Sequence, residues 1–148
     1  MIDLSINKQG LEHNIQKARE NHIVIPTIAQ MEHPETIPGK IQDKLKNVGL
    51  WDVNPMNLFR ITWKNEAKES GGLFQAVPNY IELPPALTGV PCRIIAMVGK
   101  WFPTGCHKVG ASFGCLAPRL VTGQFDATYH HAVWPSTGNY CRGGAFNS

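Results

Sequence analysis

Lys108 lies in the stretch Lys100–Ser112, KWFPTGCHKVGAS, just past a proline–glycine turn and among small and apolar neighbours. Lysine ordinarily stays on a solvated surface. In the first turn of a helix, the positive end of the helix and partial burial both favour the neutral amine, which makes such a lysine a usable nucleophile and base. A second stretch, Ser136-Thr137-Gly138-Asn139, begins 28 residues after Lys108. Its hydroxyls and glycine suit a turn that opens a helix, where free N–H groups favour an anion such as a substrate carboxylate.

Other reactive residues form no recognisable set. Cys92, Cys106, Cys115 and Cys141 include no CxxC pair, and in a reducing compartment they are expected to stay thiols. Cys106 and His107 are adjacent, but neighbours on a helix diverge and no second pair has zinc-like spacing, so no metal is expected. His130 and His131 are expected on opposite faces of a strand. The turn from Gly99 to Gly105 lacks the spacing and the GK[ST] of a phosphate-binding loop.

The elements that would position Lys108 follow from hydrophobic patterning. Arg93–Val98, RIIAMV, is a nearly continuous apolar run, as in a strand covered on both faces of a parallel sheet. A largely buried helix is expected from Cys106 to about Val121, kinked or shortened by Pro118 and stopped by Gly123. Ala127–Trp134, ATYHHAVW, reads as a second strand, and YCRGGAFNS as the start of a second helix. Two parallel strands joined by a crossover helix end on the same sheet edge, so Lys108 and the Ser136–Asn139 loop are expected to face one another.

Upstream, Leu11, Ile15 and Ala18 fall at helical spacing in NKQGLEHNIQKARENH. IVIPTIAQMEHPETIP reads as an extended connection, Ile41, Leu45 and Val48 mark a short helix ended by Gly49, LFRITW reads as a strand and NEAKESGG as a polar loop. With 148 residues, 43% hydrophobic and 17% charged, the chain suits one soluble globular domain or part of one. No apolar run is long enough for a membrane span, MIDLSINKQG lacks a secretory pattern, and a cytoplasmic location is expected. The net charge of +3 is spread out, so neither nucleic acid nor a membrane is expected as a partner.

Pro103-Thr104-Gly105-Cys106-His107-Lys108 resembles the PTGSxK signature around the cofactor lysine of fold type II pyridoxal-phosphate enzymes. That group includes cysteine synthase, threonine synthase and the tryptophan synthase β-subunit, and the Thr-Gly-x-His-Lys form is most similar to the last. Ser136-Thr137-Gly138-Asn139 resembles the [ST]-[ST]-G-N loop of cysteine and threonine synthases, and NYIELPPALTGVPCRIIAMVGK the segment leading into the lysine strand. The similarity runs from Asn79 to Ser148; residues 1–78 match nothing in the family.

The resemblance implies an α/β fold, the N-terminal part of a tryptophan synthase β-like architecture with a parallel sheet and flanking helices. By their patterning, residues 1–78 would form a helical and extended segment packed on the core, while the resemblance makes 79–148 an α/β PLP-lysine segment truncated at its C-terminus. Lys108 would hold pyridoxal 5′-phosphate and shuttle the Cα proton, with His107 and Asn139 at the cofactor and Asn139 bonding its phenolic oxygen. Ser136, Thr137, Gly138 and Asn139 would hold the substrate. The reaction implied is β-elimination or β-replacement on an amino acid. The family often has Asn before the proline and Asp-Arg after the lysine, where this chain has Phe102 and Val109-Gly110, so the substrate is left open. The family's phosphate-binding glycine loop lies downstream of the STGN loop and has no counterpart here. The resemblance therefore implies part of a longer, homodimeric chain, inactive alone. The alternative is a non-catalytic chain of the family fold acting as a binding or assembly partner.

Overall fold

The computed structural model describes residues 3–67 and 70–148. Lys68 and Glu69 of the expected polar loop, and Met1 and Ile2 of the N-terminal stretch, lie outside the described residues. The helices are α1 (Lys8–Glu20), α2 (Ile28–Glu32), α3 (Gly39–Leu45), α4 (Pro85–Thr88), α5 (Lys108–Val121) and α6 (Asn139–Asn147). The strands are β1 (Tyr80–Leu83) and β2 (Ile94–Met97). No helix among the described residues is long and apolar enough to cross a membrane.

The expected α/β architecture with a parallel sheet is not what the chain forms. β1 and β2 make a two-stranded antiparallel ribbon, with Tyr80 opposite Met97 and Leu83 opposite Ile94. Only Pro84 to Arg93 separates the two strands, too little chain for a crossover helix that would make them parallel. Glu82 accepts from Arg93 at 2.8 and 2.9 Å across the ribbon. Instead of being covered on both faces, Ile95, Ala96 and Met97 are exposed.

The second expected strand, Ala127–Trp134, is also absent. Asp126 consumes its start, accepting from the Thr128 N–H and hydroxyl while its own N–H donates to His130 Nδ1 at 2.9 Å. Such side-chain bonds offer the backbone an alternative to a ladder. LFRITW likewise forms no strand. Asn54 accepts from the Met56 N–H, Pro55 fixes the first position, and Pro55–Arg60 close into a 3₁₀ turn. Thr27 and Gln30 form a reciprocal capping box that starts α2 inside the stretch expected to be extended.

The helices expected around Leu11–Ala18 and from Cys106 onward do form, as α1 and α5. Pro118 does not end α5: Arg119 donates to the Cys115 carbonyl at 2.6 Å, and Thr122 bonds the Pro118 carbonyl at 2.8 Å. Gly123, at φ +72°, takes the left-handed position past the helix end. The α1 start reaches this point, where the Asn7 N–H donates to the Thr122 carbonyl at 2.8 Å. Asn14 then ties the two elements: its amide donates to the Leu120 and Phe125 carbonyls, and its oxygen accepts from the Ala127 N–H.

Two small cores hold the molecule. Leu58, Ile61, Phe102, Val109, Phe113 and Ala117 form one, which joins the upstream half to α5. Ile37, Leu45 and Phe59 form the other. Buried asparagines stitch the irregular chain between them; Asn65, for example, donates to the Arg60, Thr62 and Trp101 carbonyls.

The Asp126 knot makes stability depend on pH. The Thr128 hydroxyl, then its N–H and His13, hold the Asp126 carboxyl down to about 2, against the opposing effect of burial. A carboxylate with a depressed folded pKa contributes stability above its unfolded pKa of about 3.9, and that contribution disappears as pH falls toward the folded value. Asp126→Asn is therefore expected to lower the melting temperature at pH 6 and to flatten its fall between pH 4 and 2. An unchanged melting profile would show that the knot is not structural.

Candidate functional site

α5 begins at Lys108, directly after the Pro103–Gly105 turn. Within that turn Thr104 has φ +66°, an uncommon conformation for a β-branched residue. Its Oγ1 is buried with no hydrogen-bond partner. The Lys108 side chain is exposed, so the partial burial expected from its small neighbours is not found. It joins no ion pair among the described residues. Lys100, the neighbouring candidate, sits over the Trp101 ring at 4.7 Å.

Ser136–Asn139 leads into α6 as expected. The Ser136 hydroxyl accepts from the Gly138 N–H at 3.2 Å, and no side chain caps the helix. The first N–H groups of α6 therefore remain free for an anion.

The two motifs are not joined by parallel strands ending on one sheet edge, as expected. α6 packs across the beginning of α5 instead. A Cβ on Gly143 would lie 2.7 Å from Val109 N and Cα and 2.8 Å from the Lys108 carbonyl oxygen, so the two backbones touch there. Asn147 locks the crossing by donating to the Val109 carbonyl at 2.9 Å and to Ser112 Oγ at 2.8 Å. Asn139 is four residues, about 6 Å along the axis, from Gly143. It shares a face with Arg142, whose guanidinium contacts its Oδ1 at 3.5 Å and stands 5.4 Å over the Trp51 ring. Trp51 in turn lies against Gly105. The turn before Lys108 and the start of α6 thus border a common region, although no hydrogen bond joins the Lys108 amine to Ser136, Thr137 or Asn139 among the described residues. His107 is exposed, stacks on Trp63 at 5.5 Å and places Nδ1 3.8 Å from Cys106 Sγ.

Trp51, Arg142 and Gly143 are site residues that the sequence reading missed. Trp51 comes from a remote segment, but Gly143-Gly144 inside a helix was a usable signal of close backbone approach.

For a pyridoxal-phosphate site, Lys108 would offer its amine to the cofactor aldehyde and the α6 start its N–H groups to the substrate carboxylate, so only one end of the cofactor itself would find a partner here. Neither glycine pair in the chain serves the phosphate: Gly143-Gly144 is packed against Val109 and Trp134, and Gly71 faces the Glu66 carboxylate. No known family profile matches the chain, and neither a curated protein nor a solved structure matches it significantly.

Proposed function

We propose that this chain carries the lysine and the substrate-carboxylate loop of a pyridoxal-phosphate-dependent enzyme that performs β-elimination or β-replacement on an amino acid. The observation that supports this most directly is the α5–α6 crossing at Gly143, which gathers the turn before Lys108 and the start of α6 at one end of the helix pair. When bound, the cofactor supplies an electron sink for the substrate Cα. Lys108 would hold it through the amine and move the proton at Cα. Ser136, Thr137 and the N–H groups from Gly138 onward would bind the substrate carboxylate, Asn139 would bond the cofactor's phenolic oxygen, and His107 would border it. The exposure of Lys108 favours a second reading, in which the chain binds or assembles with a partner without catalysing a reaction.

The test is covalent labelling. Adding pyridoxal phosphate, reducing with borohydride and digesting is expected to place the pyridoxyl mass on the peptide containing Lys108. Lys108→Ala should remove that label while leaving the melting temperature within a few degrees, because the side chain is exposed and joins no ion pair among the described residues. Labelling concentrated on Lys100, or scattered over the lysines and unchanged in Lys108→Ala, would refute the enzyme reading and leave the partner reading.

A further inference from the structure

The α1 face read from the sequence as a packing face is not filled. Leu11 and Ala18 are half-buried and Ile15 remains 42% exposed. Opposite them stand Phe113, Leu116 and Leu120 of α5, and the space between is a cleft of about 690 Å³. This falls within the range of about 300–1,000 Å³ typical of small-molecule sites. It lies along the flank of α5, whereas Lys108 stands at that helix's first residue.

Lys17, His130 and His131 line the cleft, and no aspartate or glutamate among the described residues does, although the Lys17 amine also meets the exposed Glu20 carboxylate at 3.3 Å. His130 is fixed in tautomer: its Nδ1 accepts the Asp126 N–H, so the proton of the neutral ring resides on Nε2 as a donor. The ring is held there against Phe125 and Tyr129 at 5.5 and 4.2 Å. The amides of Asn14, Asn21 and Asn147 donate to backbone carbonyls and to Ser112, and the Ser148 hydroxyl donates to the Gly144 carbonyl, so the donors left to a ligand are those of Lys17 and the two imidazoles.

We infer that this cleft binds an amphiphilic carboxylate, a medium-chain fatty acid in the simplest case, with its chain between α1 and α5 and its head group among Lys17, His130 and His131. Apolar burial supplies most of the affinity, and the charge selects the anion over a neutral or cationic amphiphile of equal length.

The full chain, isotope-labelled, is titrated by NMR with decanoate, decanol and decyltrimethylammonium below their micellar concentrations. Decanoate is expected to shift the amides of Ala18, Leu116 and Leu120 saturably and to bind at least tenfold more tightly than either analogue. Lys17→Gln combined with His131→Gln, both exposed, should bring decanoate down to the level of decanol with the fold intact. Ala18→Trp, which fills the cleft, should abolish all three shifts. Lys108→Ala should leave decanoate binding unchanged, which separates this result from the labelling experiment. Equal binding of the three amphiphiles, no saturable shift, or protein-concentration-dependent shifts of the same amides without ligand would overturn the inference; the last would mean that a second copy fills the cleft.

Discussion

Arg60→Met is expected to lower the free energy of unfolding by about 3–5 kcal/mol, because it strips a buried charge from four acceptors of which, among the described residues, only the Leu45 carbonyl has another donor, the Val48 N–H. Arg60 is only 6% exposed. Its guanidinium donates to the Val48 and Leu45 carbonyls at 2.8 Å, to Gly72 at 3.1 Å and to Asn57 Oδ1 at 2.6 Å. Besides Asn57 in its own 3₁₀ turn, these acceptors come from the end of α3, the turn after it and the Gly71–Gly72 bend, so one side chain joins three other stretches of the chain. Burial lowers the Arg60 pKa and the Asp52 carboxylate acts against it, yet guanidinium remains a cation at any working pH. Arg60→Lys keeps the charge but replaces a planar fork with one ammonium, so it is expected to lose part of the stability. Urea unfolding of both variants checks this. A Met variant within about 0.5 kcal/mol of the parent, the range of ordinary surface changes, would mean that the cage is not structural.

That cage also shows why the upstream half resisted reading. LFRITW alternates like a strand, but its conformation is set by Asn54 and Pro55 before it and by Arg60's acceptors up to fifteen residues away. Residue patterning carries little information about such tertiary bonds. α1 and α5 were legible because their apolar residues recur at helical spacing and because Gly123 supplies a stop. RIIAMV was legible as a strand, but not its partner: continuous apolarity suggests burial on both faces, whereas the short Pro84–Arg93 connection permits only an antiparallel neighbour. ATYHHAVW failed for a local reason, since Asp126, Thr128 and His130 bond one another before a strand can begin. At the candidate site, the position of Lys108 at a helix start could be read from its turn. Its exposure could not, because that depends on which elements pack beside the helix. The agent that brings α6 to α5 is a helix crossing and not a sheet edge, and its sequence trace is the pair Gly143-Gly144.

Gly143→Ala decides whether that crossing builds the site. Alanine is the better helix former by about 1 kcal/mol, so in open space this change stabilises. Here the new methyl would meet Val109 N and Cα at 2.7 Å and the Lys108 carbonyl oxygen at 2.8 Å, all of them backbone atoms that cannot rotate away. Overpacking of this kind costs about 1–3 kcal/mol, and it also forces α6 off α5, removing the Asn147 bonds to Val109 and Ser112 that lock the pair. The expected result is a net loss of about 2 kcal/mol, taking the contact and the lost bonds together against the helix gain. Gly114→Ala is the control within α5, since nothing lies within 4 Å of the added methyl, and it should raise stability by up to about 1 kcal/mol. If Lys108 owes its selective labelling to the α6 start beside it, Gly143→Ala should spread the pyridoxyl label over other lysines, while Gly114→Ala leaves it on Lys108. Unchanged selectivity in a measurably destabilised Gly143→Ala protein would show that the turn alone directs the cofactor to Lys108, and that the Ser136–Asn139 loop takes no part in holding it.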